Sequence, residues 1–173
     1  MAGKNPKDVL LMVLSDVRRS TERAAGIYDE IGKAAQDPEL KEALEGRAFV
    51  SEKVLEKLDQ CFKILGEQPV KLSGRLEETF AEDFRKELNE IESPVARRLF
   101  VLVKLAHLTH LRIGEYVALV AAADLAGHHG VGVLLESCLA DKLAFVERTR
   151  RLITNIGQTR VAELERKAVE RAA

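Results

Sequence analysis

The chain has 173 residues, 46% hydrophobic and 32% charged, with a net charge of -1 at pH 7. That is one domain's worth of sequence with enough apolar material for a core, and its evenly mixed charges supply no field to draw in nucleic acid or an anionic membrane. The most apolar segment is interrupted by Lys104, Arg112 and Glu115, which excludes a membrane-spanning helix, and MAGKNPKD has no signal-peptide pattern, so the expected location is cytoplasmic.

Trp is absent, and Ala, Leu, Glu, Lys and Arg dominate, which favours helices over sheets. Asn5-Pro6 opens the first helix, with Asn as N-cap and Pro in the first turn. Its seam is Leu10, Leu14, Val17, Thr21, Ala24, Tyr28 and Ile31, in alternating steps of four and three. It stops near residues 33–36, and Asp37-Pro38 opens the second helix so soon afterwards that the two must run antiparallel. The second seam is Leu40, Leu44, Arg47, Ser51, Val54, Leu58, Cys61 and Leu65, closed by Gly66.

Turn signals at Gln68-Pro69 and Ser73-Gly74 follow, then a shorter amphipathic helix within 73–92 carrying Leu76, Phe80, Phe84, Leu88 and Ile91. A connection of this length can return along the bundle and leave the second and third long helices parallel. Ser93-Pro94 opens the third, with the seam Leu99, Leu102, Ala106, Thr109, Arg112 or Ile113, Tyr116, Val120 and Ala123, closed by Gly127. After a tight link at 128–130, in which His128 and His129 are turn residues, the fourth helix shows Val131, Leu134, Cys138, Asp141, Phe145, Thr149, Leu152 and Ile156. Gly157 is expected to end it, with a polar terminal helix over 159–171. The predicted architecture is all-α: one domain spanning 1–173, its core over 6–156. Short, long and short connections make it a ferritin-like four-helix bundle with a helix in the crossover and a C-terminal helix. Cys61 and Cys138 lie on apolar stripes as buried free thiols, so no disulfide framework is expected.

Each of the four seams is interrupted near its middle. Ser20 and Thr21, with Glu22 beside them, interrupt the first; Arg47 and Ser51 the second; Thr109 and Arg112 the third; Asp141 the fourth. Small hydroxyls can bond their own helix four residues back, but arginines and an aspartate cannot be absorbed that way. A buried polar layer is therefore predicted at Arg47, Ser51, Thr109, Arg112 and Glu115. Ferritin-like carboxylate proteins hold two metals at this height, using a Glu from each of two helices and Glu-x-x-His from each of the others. Glu-x-x-His is missing from this bundle; the mid-height candidates are Glu22, Asp141 and the pair His107-x-x-His110.

The runs ELKEALE and VLEKLDQCFKILGEQP within 39–69, the segment Ser20-Thr21-Glu22-Arg23 and the helix ending at Gly127-His128 resemble the YciE/YciF-like family of ferritin-like proteins over residues 8–155. The resemblance implies a bundle that is usually dimeric, described as metal-binding and linked to stress responses. Its first-helix glutamate matches Glu22. The second-helix carboxylate falls on Val50 and the later Gln or His on Val54. The third-helix Glu-His-Tyr-Glu reads Thr109-His110-Leu111-Arg112, and the spaced glutamates of the fourth read Ser137 and Asp141. Glu22, His110 and Asp141 are the metal ligands that survive, and Arg112 brings a permanent cation to the site.

From this the sequence favours a metal-free, non-catalytic, stress-associated dimer in which Arg112 pairs with Glu22, Asp141 or Glu115. A first alternative is a metalloprotein holding Fe, Mn or Zn through Glu22, His110 and Asp141. A second is a helical interaction module that engages an unidentified protein through 73–92 or the terminal helix. Neither a nucleophile motif nor a phosphate-binding loop is present.

Overall fold

The computed structural model describes residues 5–35, 38–71 and 75–172; the expected Asp37 cap and the Ser73-Gly74 turn lie outside the described residues. Five helices follow in order: α1 (Pro6–Ala35), α2 (Pro38–Leu65), α3 (Arg75–Asn89), α4 (Pro94–Leu125) and α5 (His129–Ala172). Their ends follow local chemistry. The Asn5 side chain accepts a hydrogen bond from the Asp8 amide at 3.0 Å, and Ser93 caps α4 by accepting from Ala96. Gly66 and Gly127 end α2 and α4 with φ of 68° and 75°, a conformation that costs a glycine little. Beyond each glycine the chain turns back, Glu67 donating to the Phe62 carbonyl and His128 to that of Ala123.

α1 packs on α2 and α4, and α5 packs on the same two from the other side, so α1 and α5 lie diagonally opposed, as do α2 and α4. α3 lies outside this square against α1 and α4. All four neighbouring pairs are antiparallel, which leaves α2 and α4 parallel, as the long connection allows.

The apolar core is divided in two. One cluster joins Leu10, Leu14 and Val17 to Leu58, Cys61, Tyr116, Leu119, Leu135 and Cys138. The other joins Tyr28 and Ile31 to Leu40, Leu44, Phe84, Leu102, Leu105 and Phe145. Full burial of such a side chain contributes about 1.5–3 kcal/mol. Each cluster draws on all four long helices, and α3 adds Ala81, Phe84 and Leu88 to the second.

Seams α1 and α2 are buried at every position the sequence marks. In α4, Leu99 is instead exposed, and Leu102, Leu105, Leu108 and Thr109 carry the packing. Gly157 does not end the fourth long helix, since α5 runs on to Ala172; an exposed helical glycine costs about 1 kcal/mol, which neighbouring turns absorb. Cys61 and Cys138 are buried and free, and burial pushes their thiols up, to about 12 and about 11. No helix among the described residues is long and apolar enough to cross a membrane.

Candidate functional site

Between the two apolar clusters lies the predicted polar layer. Ser20, Thr21, Arg47, Ser51, Thr109 and Arg112 are all buried, and Glu115 is half-buried beside Arg112. Thr21, Ser51 and Thr109 donate to the carbonyls four residues back, those of Val17, Arg47 and Leu105. These hydroxyls satisfy themselves within their own helices, so the charged groups define the layer's chemistry.

Arg112 sits at the centre of an ion-pair network. Its Nη1 donates to Glu115 Oε2 at 2.6 Å, one turn along the same helix, and its Nη2 donates to Glu77 Oε1. Glu77 belongs to α3, and its carboxylate reaches into the bundle from outside the four long helices. Ser20 Oγ donates to the same oxygen at 2.5 Å. Both partners of this pair are about 95% buried. Burial opposes ionisation of Glu77, but the Ser20, backbone and Arg112 bonds outweigh it and hold the carboxyl below its usual range. At Glu115 burial prevails, aided by Asp16 and Glu77, and the carboxyl is raised despite Arg112.

Across the bundle, between α2 and α5, two more cations are buried, neither of them in an ion pair among the described residues. Arg47 donates from Nη2 to the Tyr28 hydroxyl at 3.3 Å, while its guanidinium carbon lies 5.2 Å from the Tyr28 ring centroid and 4.8 Å from that of Phe145. Its Nε and Nη1 are buried with no partner among the described residues. Lys142 is 2% exposed, its ammonium 5.7 Å from the Tyr116 ring centroid. Burial and the positive charge of Arg47 depress its pKa from 10.5 to about 7.

Two inward positions lie one residue on from those the sequence marks, Asp141 and Leu76. Lys142, not the half-buried Asp141, faces inward from α5, and Glu77 rather than Leu76 faces inward from α3. Of the three proposed metal ligands, Glu22 is exposed beside Arg18 at 3.5 Å. His110 is exposed, with Nδ1 2.8 Å from the Ala106 carbonyl, and Asp141 pairs with Lys57 at 3.2 Å. Among the described residues, no three His, Cys, Asp or Glu side chains form a group able to hold a metal. The layer's own donors do not fit a metal ion either: three cations stand there, and Arg112 already engages one oxygen of each carboxylate. His107 and His129 are surface residues, the latter 3.2 Å from Asp124.

Fold and layer together define a class: all-α bundles of four long helices with a helical crossover, here with a cation-rich centre. The chain belongs to the family described as "Domain of unknown function (DUF892)", which matches residues 5–162. Among solved structures it is similar to the Escherichia coli stress protein YciF, at 19% identity and a TM-score of 0.83 over 90% of this chain and 98% of that one. YcfI of Rhodopseudomonas palustris gives 20% identity and a TM-score of 0.80 over 87% and 98%. A Xanthomonas campestris protein gives 21% identity and a TM-score of 0.65 over 94% and 99%. These likenesses bear out the YciE/YciF resemblance and the helical fold. No curated protein matches the sequence.

Proposed function

We propose that this protein is a non-catalytic, stress-associated, cytoplasmic homodimer of ferritin-like form whose centre is closed by ion pairs instead of metal. The observation that carries the reading is Arg112, held between Glu77 and Glu115 at the level where the YciE/YciF resemblance implies a metal site. A fixed guanidinium supplies the positive charge those carboxylates would otherwise take from a metal. The separation of Glu22, His110 and Asp141, each engaged with its own neighbour, supports the same reading. The likeness in fold to the Escherichia coli stress protein YciF supports the biological context. Exposed Phe49, Val117 and Leu125 offer apolar surface that a second copy would cover.

Elemental analysis of freshly purified full-length protein, combined with light scattering, tests this. The expected result is a dimer with less than stoichiometric transition metal. Stoichiometric Fe, Mn or Zn that disappears in Glu22→Ala and Asp141→Ala would establish a metalloprotein instead. A metal-free monomer that captures another protein would establish a helical interaction module.

A further inference from the structure

The α2/α5 side of the layer opens to the surface through a groove of about 280 Å³, lined by Gly46, Arg47, Val50, Asp141, Phe145 and Arg148 among others. Arg47 is 3% exposed, yet it lines this groove and leaves Nε and Nη1 without acceptors. An unsatisfied buried donor costs about 1–3 kcal/mol, and more when charged, so two on one guanidinium call for a partner such as a water or an ion.

Nothing among the described residues meets them. Tyr28, whose hydroxyl Arg47 reaches, takes a single bond from Nη2. Asp141, the carboxylate at the groove, is engaged by Lys57 at 3.2 Å. Arg148 adds a second guanidinium to the lining; its Nη2 reaches Glu42 at 3.1 Å, and it is 44% exposed. Lys142, next in sequence to Asp141, makes no ion pair among the described residues and adds positive charge behind the groove. Apolar walls from Val50 and Phe145 lower the local dielectric, which strengthens any bond an anion makes there.

We infer that this groove is a binding site for a small phosphate-type oxyanion, received by the free Nε–H and Nη1–H of Arg47 with Arg148 at the rim. Charge-assisted bonds from guanidinium to phosphate oxygens are among the strongest hydrogen bonds proteins make, and arginine suits such acceptors better than lysine. The anion would neutralise a layer that otherwise holds more cations than carboxylates. The inference rests on the cationic reading of the layer. Elemental analysis tests that reading and anion titration tests this one, so either can fail alone.

The experiment is calorimetric titration of the full-length protein with inorganic phosphate at constant ionic strength, with chloride as the control anion. A second arm uses glycerol phosphate, so that the tighter ligand tells free phosphate from a phosphoryl group carried on a larger molecule. Saturable binding at one site per chain is expected, weakened at least tenfold in Arg47→Met. Arg148→Gln, at an exposed position that leaves folding intact, should weaken it severalfold and keeps the test decisive if Arg47→Met misfolds. No saturable binding in either arm, or binding that a folded Arg47→Met or Arg148→Gln retains unchanged, overturns the inference.

Discussion

The two sides of the charged layer differ in kind. On the side where α3 lies, Arg112 has two carboxylates, and Glu77 Oε1 has Ser20 besides, while Glu77 Oε2 is buried with no partner among the described residues. On the α2/α5 side, Arg47 and Lys142 rest against aromatic faces and neither pairs with a carboxylate among the described residues, Asp141 being engaged by Lys57. Cation–π contacts of this kind contribute about 0.5–2 kcal/mol, less than a buried charge loses on leaving water. The difference shows what the crossover helix contributes: α3 supplies Arg112 with an acid besides Glu115 of its own helix, and among the described residues no equivalent helix covers the opposite side.

Substitutions should separate the sides by sign. The largest effect is expected from Arg112→Met, which strands Glu77 and Glu115 and should cost about 3–5 kcal/mol in a denaturant melt. A double change with Glu77→Leu should recover much of that loss, because the uncompensated buried charge goes too. Lys142→Met should act in the opposite direction, raising stability by about 1–4 kcal/mol, since it removes a buried cation without orphaning an acid. A loss of stability in Lys142→Met would mean that the ammonium has a partner beyond the Tyr116 ring.

The smallest expected effect is a pH dependence set by Lys142. Its folded pKa, about 7, lies below its ordinary 10.5 because of burial, with the charges of Arg47 and Arg112 adding and Cys138 and Asp141 opposing. Above pH 7 the unfolded chain keeps a proton that the folded chain has released, so stability should climb with pH, by at most about 1.4 kcal/mol per unit. Below pH 7 both states carry the charge and the slope from this residue vanishes. Toward pH 9 Cys61 and Cys138 reverse the trend, because their thiols ionise first in the unfolded chain. Thermal melts between pH 7 and 8.5 should therefore show a rise that is missing in Lys142→Met.

Legibility from sequence followed the same division. Helix seams made of apolar side chains at steps of three and four could be read directly in α1 and α2, and the interruptions at Arg47, Ser51, Thr109 and Arg112 marked the layer's height. The acids were harder. Leu76 and Glu77 are neighbours about 100° apart around a helix, as are Asp141 and Lys142, and spacing alone admits either. Apolar preference selects Leu76, yet Glu77 turns inward because Arg112 waits for it 35 residues away, a reason written in another helix. At 141–142 the expectation of a ligand favoured the acid, whereas the acid stays at the margin with Lys57 and the lysine's long alkyl stem packs inward. Leu99 also leaves the α4 seam: it is exposed, whereas Leu102 and Leu105 are buried.

The charged layer also fixes how far each helix can slide. Apolar packing by leucines and alanines in steps of three and four tolerates a shift of one turn, about 5.4 Å, with little loss of contact. Such a shift in α4 would carry Arg112 into the leucines of one cluster or against Tyr116 and Leu119 of the other, away from Glu77. A sliding α3 would take Glu77 from both Ser20 and Arg112. The ion pair therefore sets the axial register of α1, α3 and α4 together, as a single buried polar residue does in a coiled coil. A helix shifted by a turn is penalised at this one level, even where the leucines would accept it.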